Sequence, residues 1–244
     1  VVLLGSTFER WYDDAAALLD YGWTLPLPAT TPARADAVFA WWQERFDGPI
    51  ARGLTARSWT WGAPIGGGAT YQPYSGAPDE RRAVRYFDKG RMEIDDPRAQ
   101  VDSGWYVTGG RLAWELITGR RQIGAAHYEE ALPAAVPLAG DPIPGTPTYA
   151  VLRPLLDAPA TAVGDRILTR LAADGSRSAD LSLARYDVRA GPVVPGSRHG
   201  VASVFQPWLD AHGRVIVGGT VLEESMLDAP LAVTGLPITE AYWV

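Results

Sequence analysis

Apolar positions recur at helical spacing twice in the first fifty residues. Val1-Val2-Leu3-Leu4 is a short buried-strand run, Gly5-Ser6-Thr7 breaks it, and Phe8, Trp11, Tyr12, Ala15, Leu18 and Leu19 predict an amphipathic helix that Gly22 ends. The Pro/Thr-rich stretch from Thr24 to Pro32 predicts an extended linker. Ala33 to Phe46 predicts a second helix, with Val38, Phe39, Trp42 and Phe46 on one side and Gly48-Pro49 as its stop.

Further along, the period shortens to two. Ser58-Trp59-Thr60-Trp61 alternates like a strand, which places Trp59 and Trp61 on one face. Pro64 to Gly68 reads as a loop, and Ala83 to Ile94 as a hairpin with Gly90 supplying a left-handed φ at its turn. The run from Trp105 to Ile117 fits a strand or a helix, and periodicity does not choose. Gly140 to Pro147 marks a second boundary. Beyond it come a strand from Arg166 to Leu171, a turn at Asp174-Gly175-Ser176, and the run Arg214 to Val217 before Gly218-Gly219. The order aromatic pair, Gly-Leu, Ser/Thr and Trp occurs at Phe39/Trp42, Gly53-Leu54 and Ser58-Trp59, and again at Phe205/Trp208, Gly235-Leu236, Thr239 and Trp243, which suggests an imperfect repeat. The expected fold is α+β and strand-rich. It comprises a strand–helix appendage (residues 1–23), a linker (24–32) and two related lobes (33–140 and 141–244).

Composition narrows the chemistry. The 22 basic and 28 acidic residues give a net charge of −6, which disfavours a nucleic-acid partner. No apolar run approaches the roughly eighteen residues of a membrane span. There is no Cys and no Asn, and Lys89 is the only lysine, so thiol nucleophiles, Cys-ligated metals and glycosylation acceptors are excluded. Ten Trp, 26 Gly and 20 Pro point to a turn-rich chain with large aromatic anchors.

Val1 to Ser6 followed by Arg10 to Trp23, with Leu18-Leu19-Asp20-Tyr21-Gly22 at its close, resembles the last strand and helix of the serine-type D-alanyl-D-alanine carboxypeptidase domain. The resemblance covers about a tenth of the chain. The family's Ser-x-x-Lys, Ser-x-Asn and Lys-Thr-Gly motifs match no position here: Lys89 lies in Tyr86-Phe87-Asp88-Lys89-Gly90, and Asn is absent. The resemblance therefore implies that any such active site lies upstream of Val1. The chain opens without Met or an export signal and reads as part of a longer exported protein.

The stretch Arg85 to Glu93 and the ending Gly235 to Trp243 resemble repeat modules of exported proteins in Chloroflexi-type bacteria, similar in layout to LGFP repeats of actinobacterial cell-wall proteins. This resemblance covers most of the chain and implies an extracellular or cell-envelope location. Here Asp88-Lys89 stands where Glu-Arg is more usual, and Thr55 follows the first Gly-Leu in place of Pro.

Candidate chemistry is sparse. His127, His199 and His212 have no metal-ligand spacing and read as surface or hydrogen-bonded core residues. The pairs Asp13-Asp14, Asp95-Asp96, Glu129-Glu130 and Glu223-Glu224 read as solvated charge, because adjacent acids on a strand point to opposite faces. Gly66-Gly67-Gly68 lacks a dinucleotide fingerprint. No catalytic residue, metal ligand or cofactor is assigned. Trp59, Trp61, Trp105, Tyr106 and Trp243 are the candidate ligand-binding residues, as sugar-stacking platforms or as core. The expected function is a non-catalytic glycan- or peptidoglycan-binding module of an exported carboxypeptidase-like protein. The alternatives are a fragment of the enzyme itself and an extracellular protein-interaction scaffold.

Overall fold

The computed structural model describes residues 32–99, 104–138, 143–227 and 229–244; the strand, helix and linker expected before Pro32 lie outside them. Helix α1 spans Pro32–Ala51 and buries Phe39, Trp42 and Phe46 of the predicted stripe together with Ala35, while Val38 is only half-buried against the same core. It does not stop at Gly48-Pro49. Pro49 lies in the last turn, Arg52 N–H still reaches the Gly48 carbonyl at 3.0 Å, and Arg57 donates to the Phe46 carbonyl from outside the helix.

Strands β1 (Thr70–Pro73), β2 (Arg81–Phe87) and β3 (Gly90–Ile94) form a three-stranded antiparallel sheet. The expected hairpin is β2–β3, with Phe87 opposite Gly90. Gly90 does not take a left-handed φ, because the two-residue turn at Asp88-Lys89 closes in ordinary backbone. Register then sorts the side chains. Ala83 opposite Ile94 and Arg85 opposite Met92 share the face that meets α1, where Ala83, Phe87, Met92 and Ile94 join Phe39, Trp42 and Trp61 in the main core. Val84 opposite Glu93 and Tyr86 opposite Arg91 occupy the other face.

That second face is covered by α2 (Arg111–Thr118), which resolves the open choice in the window from Trp105: only its latter half is helical. After α2 come the hairpin β4 (Arg120–Gln122) and β5 (Tyr128–Glu130), then β6 (Thr169–Leu171) and β7 (Arg177–Ala179) around the expected Asp174-Gly175-Ser176 turn. A one-turn helix α3 (Gln206–Leu209) precedes β8 (His212–Val217) and β9 (Thr220–Ser225), and α4 spans Pro230–Thr234. Together these make a mixed α+β fold of helices and short antiparallel sheets.

The core crosses the expected boundary at residue 140. Val215, Met226, Leu227 and Val233 pack in the same cluster as Phe39 and Phe46. Ile167, Ala190 and Ala202 form a smaller separate cluster that Trp243 covers. The two stretches read as repeat copies adopt different structures: Phe39 and Trp42 sit in a 20-residue helix, Phe205 precedes a four-residue one, and only the second stretch has a hairpin between its aromatics and its Gly-Leu.

Trp59 and Trp61 are not in a strand. The Asp47 carboxylate accepts the backbone N–H of Thr60 at 2.7 Å and those of Trp61 and Gly62 at 2.9 Å each. A side chain thus takes the amides that a neighbouring strand would have used. The chain bends, and the two rings part company.

Candidate functional site

Helix α2 presents one side to the sheet, set by its i, i+4 spacing, and the flank of that side to a set of clefts. Arg111 and Glu115 point to the sheet. There Arg82 pairs with Glu93 at 2.8 Å and Glu115 at 3.2 Å, Arg91 with Glu115 at 2.7 Å, and Arg111 with Glu93 at 3.1 Å and with Asp95. Arg82 and Arg111 also lie over the Tyr74 ring, at 5.1 and 5.5 Å. Three guanidinium groups thus meet three carboxylates, and the network is neutral in sum. Burial pushes the Glu115 carboxyl up, but its hydrogen bond and attraction to Arg91, with Arg82 beyond, outweigh this and hold it below the usual carboxylate range. Every charge is matched, so this network is scaffold. It fixes α2 on the sheet.

Trp114 and Thr118, on the flank of that same side of α2, line a cleft, with Thr118 itself buried. Three cavities meet there around one segment, Gly235 to Glu240. The first, about 340 Å³, is walled by Trp105, Gly110, Arg111, Trp114, Leu231 and Leu236. The second, about 460 Å³, is walled by Trp114, Thr118, Arg120, Asp157, Ser197, Arg198, His199 and Leu236 to Ile238. The third, about 390 Å³ and more apolar, is walled by Phe205, Trp208, Leu231 and Leu236 to Ala241. Trp114 belongs to the first two, and Leu236 to Ile238 form a partition between them and the third.

Backbone contact positions the partition. Gly109 N–H donates to the Ala232 carbonyl at 2.7 Å. Gly110, at φ 86°, approaches so closely that a Cβ there would lie 2.5 Å from the Gly235 Cα. Only glycine serves at such a crossing. On the far side Glu240 ties down two loops: Thr161 N–H donates to Oε2 at 2.9 Å, and His199 Nδ1 lies 2.7 Å from Oε1. Burial pushes the Glu240 carboxyl up, but these hydrogen bonds, Thr161 first, hold it below the usual carboxylate range. Ser197 Oγ accepts from His199 N–H at 3.0 Å and donates to the Pro237 carbonyl.

The expected site residues are dispersed. Trp105, 56% exposed, lines the first cleft; its neighbour Tyr106, 4% exposed, is core. Trp61, also 4% exposed, packs on Phe87 with ring centroids 5.9 Å apart. Trp59 is 44% exposed but lines none of the three clefts. Trp243 stacks on Tyr186 at 5.2 Å and donates through Nε1 to the Ile167 carbonyl at 2.8 Å, which makes it the anchor of the chain end. Trp114, Arg120, Asp157, Arg198, His199 and Glu240 were not singled out as site residues. Of these only His199 carries an expectation of its own from the sequence, as a surface or hydrogen-bonded core histidine, and in the structure it is buried against Glu240.

The acidic pairs are engaged: Glu129 with Arg121, Glu130 with Arg120 at 3.0 Å, Glu224 with Arg45 at 3.3 Å, and Asp95 with Arg111. Asp13-Asp14 lies outside the described residues. Among the described residues no three His, Cys, Asp or Glu cluster to hold a metal, and no helix is long and apolar enough to cross a membrane. Comparison of the chain with protein-family models, with curated proteins and with solved structures gives no match.

Proposed function

We propose that this chain is a non-catalytic glycan-binding module of a cell envelope, its ligand lying along the two clefts that share Trp114 and stacking on Trp105. The observation that carries the reading is Trp105: a large ring, more than half exposed, in the wall of a cleft that continues past a second Trp into one lined by arginine, serine and aspartate. Sugar rings present apolar faces and hydroxyl edges, and this wall offers a partner for each. The resemblance to envelope repeat modules supports the location and, with the first residues, a parent protein of the carboxypeptidase type.

Co-sedimentation with insoluble peptidoglycan in low and in high salt tests the reading. A net charge of −6 gives no general attraction to anionic wall polymers, so stacking should hold the chain in the pellet at both salt concentrations. Loss of binding in high salt would mean a charge-driven contact instead, and absence of binding in both would leave the protein-interaction scaffold as the better reading.

A further inference from the structure

His199 is 1% exposed, and its Nε2 is buried with no hydrogen-bond partner. A buried polar nitrogen left unpaired is costly, and native structures seldom keep one without a use. The rest of the ring is fixed. Its Nδ1 lies 2.7 Å from Glu240 Oε1, and Glu240 belongs to the wall of the apolar cleft. His199 itself belongs to the wall of the 460 Å³ cleft. The imidazole therefore stands between the two, with Nδ1 held by Glu240 and Nε2 buried and unpaired.

We propose that His199 Nε2 is a hydrogen-bond acceptor for a ligand hydroxyl in the cleft between Trp114 and Arg198. The tautomer follows from the partner. An ionised Glu240 can only accept, so Nδ1 carries the proton of the neutral ring and Nε2 presents its lone pair. A hydroxyl donates to it; an ion with no proton to give, such as sulfate or a carboxylate, cannot. Arg120 and Arg198, in the same wall, already hold Glu130 at 3.0 Å and Asp157 at 2.5 Å, so the cleft is not built as an anion receptor. This assignment rests on the glycan reading and names the atom within it that selects a polyhydroxylated ligand.

The test uses the ring nitrogens of His199 as reporters, by ¹⁵N NMR on the intact chain. Without ligand, Nδ1 should be the protonated nitrogen and Nε2 the bare one; the reverse tautomer overturns the proposal. A soluble N-acetylglucosamine oligomer should then shift Nε2, and sulfate, which carries no proton at neutral pH, should not. Two variants separate the nitrogens. His199→Asn keeps a donor where Nδ1 sits and removes the acceptor, and should weaken oligomer binding by roughly three- to tenfold with the fold retained. His199→Gln places an acceptor where Nε2 sits and should bind more tightly than the Asn variant. If the oligomer binds but His199 is silent and both variants bind like the parent, this inference fails while the glycan reading stands. If sulfate alone shifts Nε2, the site is an anion site and the proposal is wrong. If neither the oligomer nor insoluble peptidoglycan binds, both readings fall.

Discussion

The Glu93 carboxylate, fully buried, lies 2.8 Å from the guanidinium of Arg82, which is buried just as completely. Arg91 and Arg111 close on the same carboxylate from either side, at 2.8 and 3.1 Å. Removing Glu93 would leave three arginines short of a partner, two of which, Arg82 and Arg91, lie where water does not reach. Glu93→Ala should cost about 3–5 kcal/mol of unfolding free energy, as breaking a buried pair does. Urea denaturation measures it, and a loss below about 1 kcal/mol would show that the network relaxes or hydrates freely.

Glu115 has a folded-state pKa below its unfolded one, because Arg91 and Arg82 favour its charged form. The unfolded chain then binds more protons than the folded one in mildly acidic solution, so stability rises with pH there. The stabilisation is complete above about pH 4.3, the ordinary glutamate value, and is lost as pH falls through the folded pKa. Denaturation midpoints from pH 3 to 6 should climb less steeply for Glu115→Gln than for the parent. Parallel curves would mean that Glu115 titrates normally.

The expected strand at Ser58 to Trp61 failed for a reason that makes its own prediction. Asp47, one residue past the apolar stripe of α1, holds three consecutive amides of that segment. Asp47→Ala should cost at least about 2 kcal/mol, since the Trp61 and Gly62 bonds are buried and each buried N–H left unpaired is worth roughly 1–3 kcal/mol. Asp47→Asn, with one accepting oxygen, should fall between. Equal stability of Ala and Asn variants in thermal melts would contradict the arrangement.

Local pattern reached as far as local causes do. Phe39, Trp42 and Phe46 recur at helical spacing because a helix must bury one stripe, and α1 is where they predict it. The β2–β3 hairpin was equally plain. Its polar positions were not: Arg82, Arg91 and Glu93 alternate along the strands as a solvent face does, yet α2 covers them, and only tertiary contact reveals it. The candidate clefts draw on residues 105–120, 157, 196–200 and 231–241, so no window of sequence contains them. Of the aromatics chosen from sequence, Trp105 reaches a cleft, while its neighbour Tyr106 turns inward to the core.

Gly110 and Gly235 are the crossing on which the partition depends. In Gly110→Ala the new methyl would meet the Gly235 Cα and the Thr234 carbonyl oxygen at 2.5 Å, in a left-handed backbone. Strain and overpacking of roughly 1–3 kcal/mol each should lower stability by at least about 2 kcal/mol. Hydrogen exchange should quicken at the Gly109 amide, now bonded to the Ala232 carbonyl. Unchanged protection at Gly109 would mean that the two segments do not bear on each other.

The role of Trp105 is tested most directly by comparing the affinity of the parent, Trp105→Ala and Trp59→Ala for insoluble peptidoglycan, with circular dichroism confirming each fold. Both rings are exposed, but only Trp105 lines a cleft. Trp105→Ala should weaken binding by about five- to 150-fold, the equivalent of roughly 1–3 kcal/mol for one aromatic stacking contact, while Trp59→Ala binds like the parent. Equal affinities for the parent and Trp105→Ala would contradict the account.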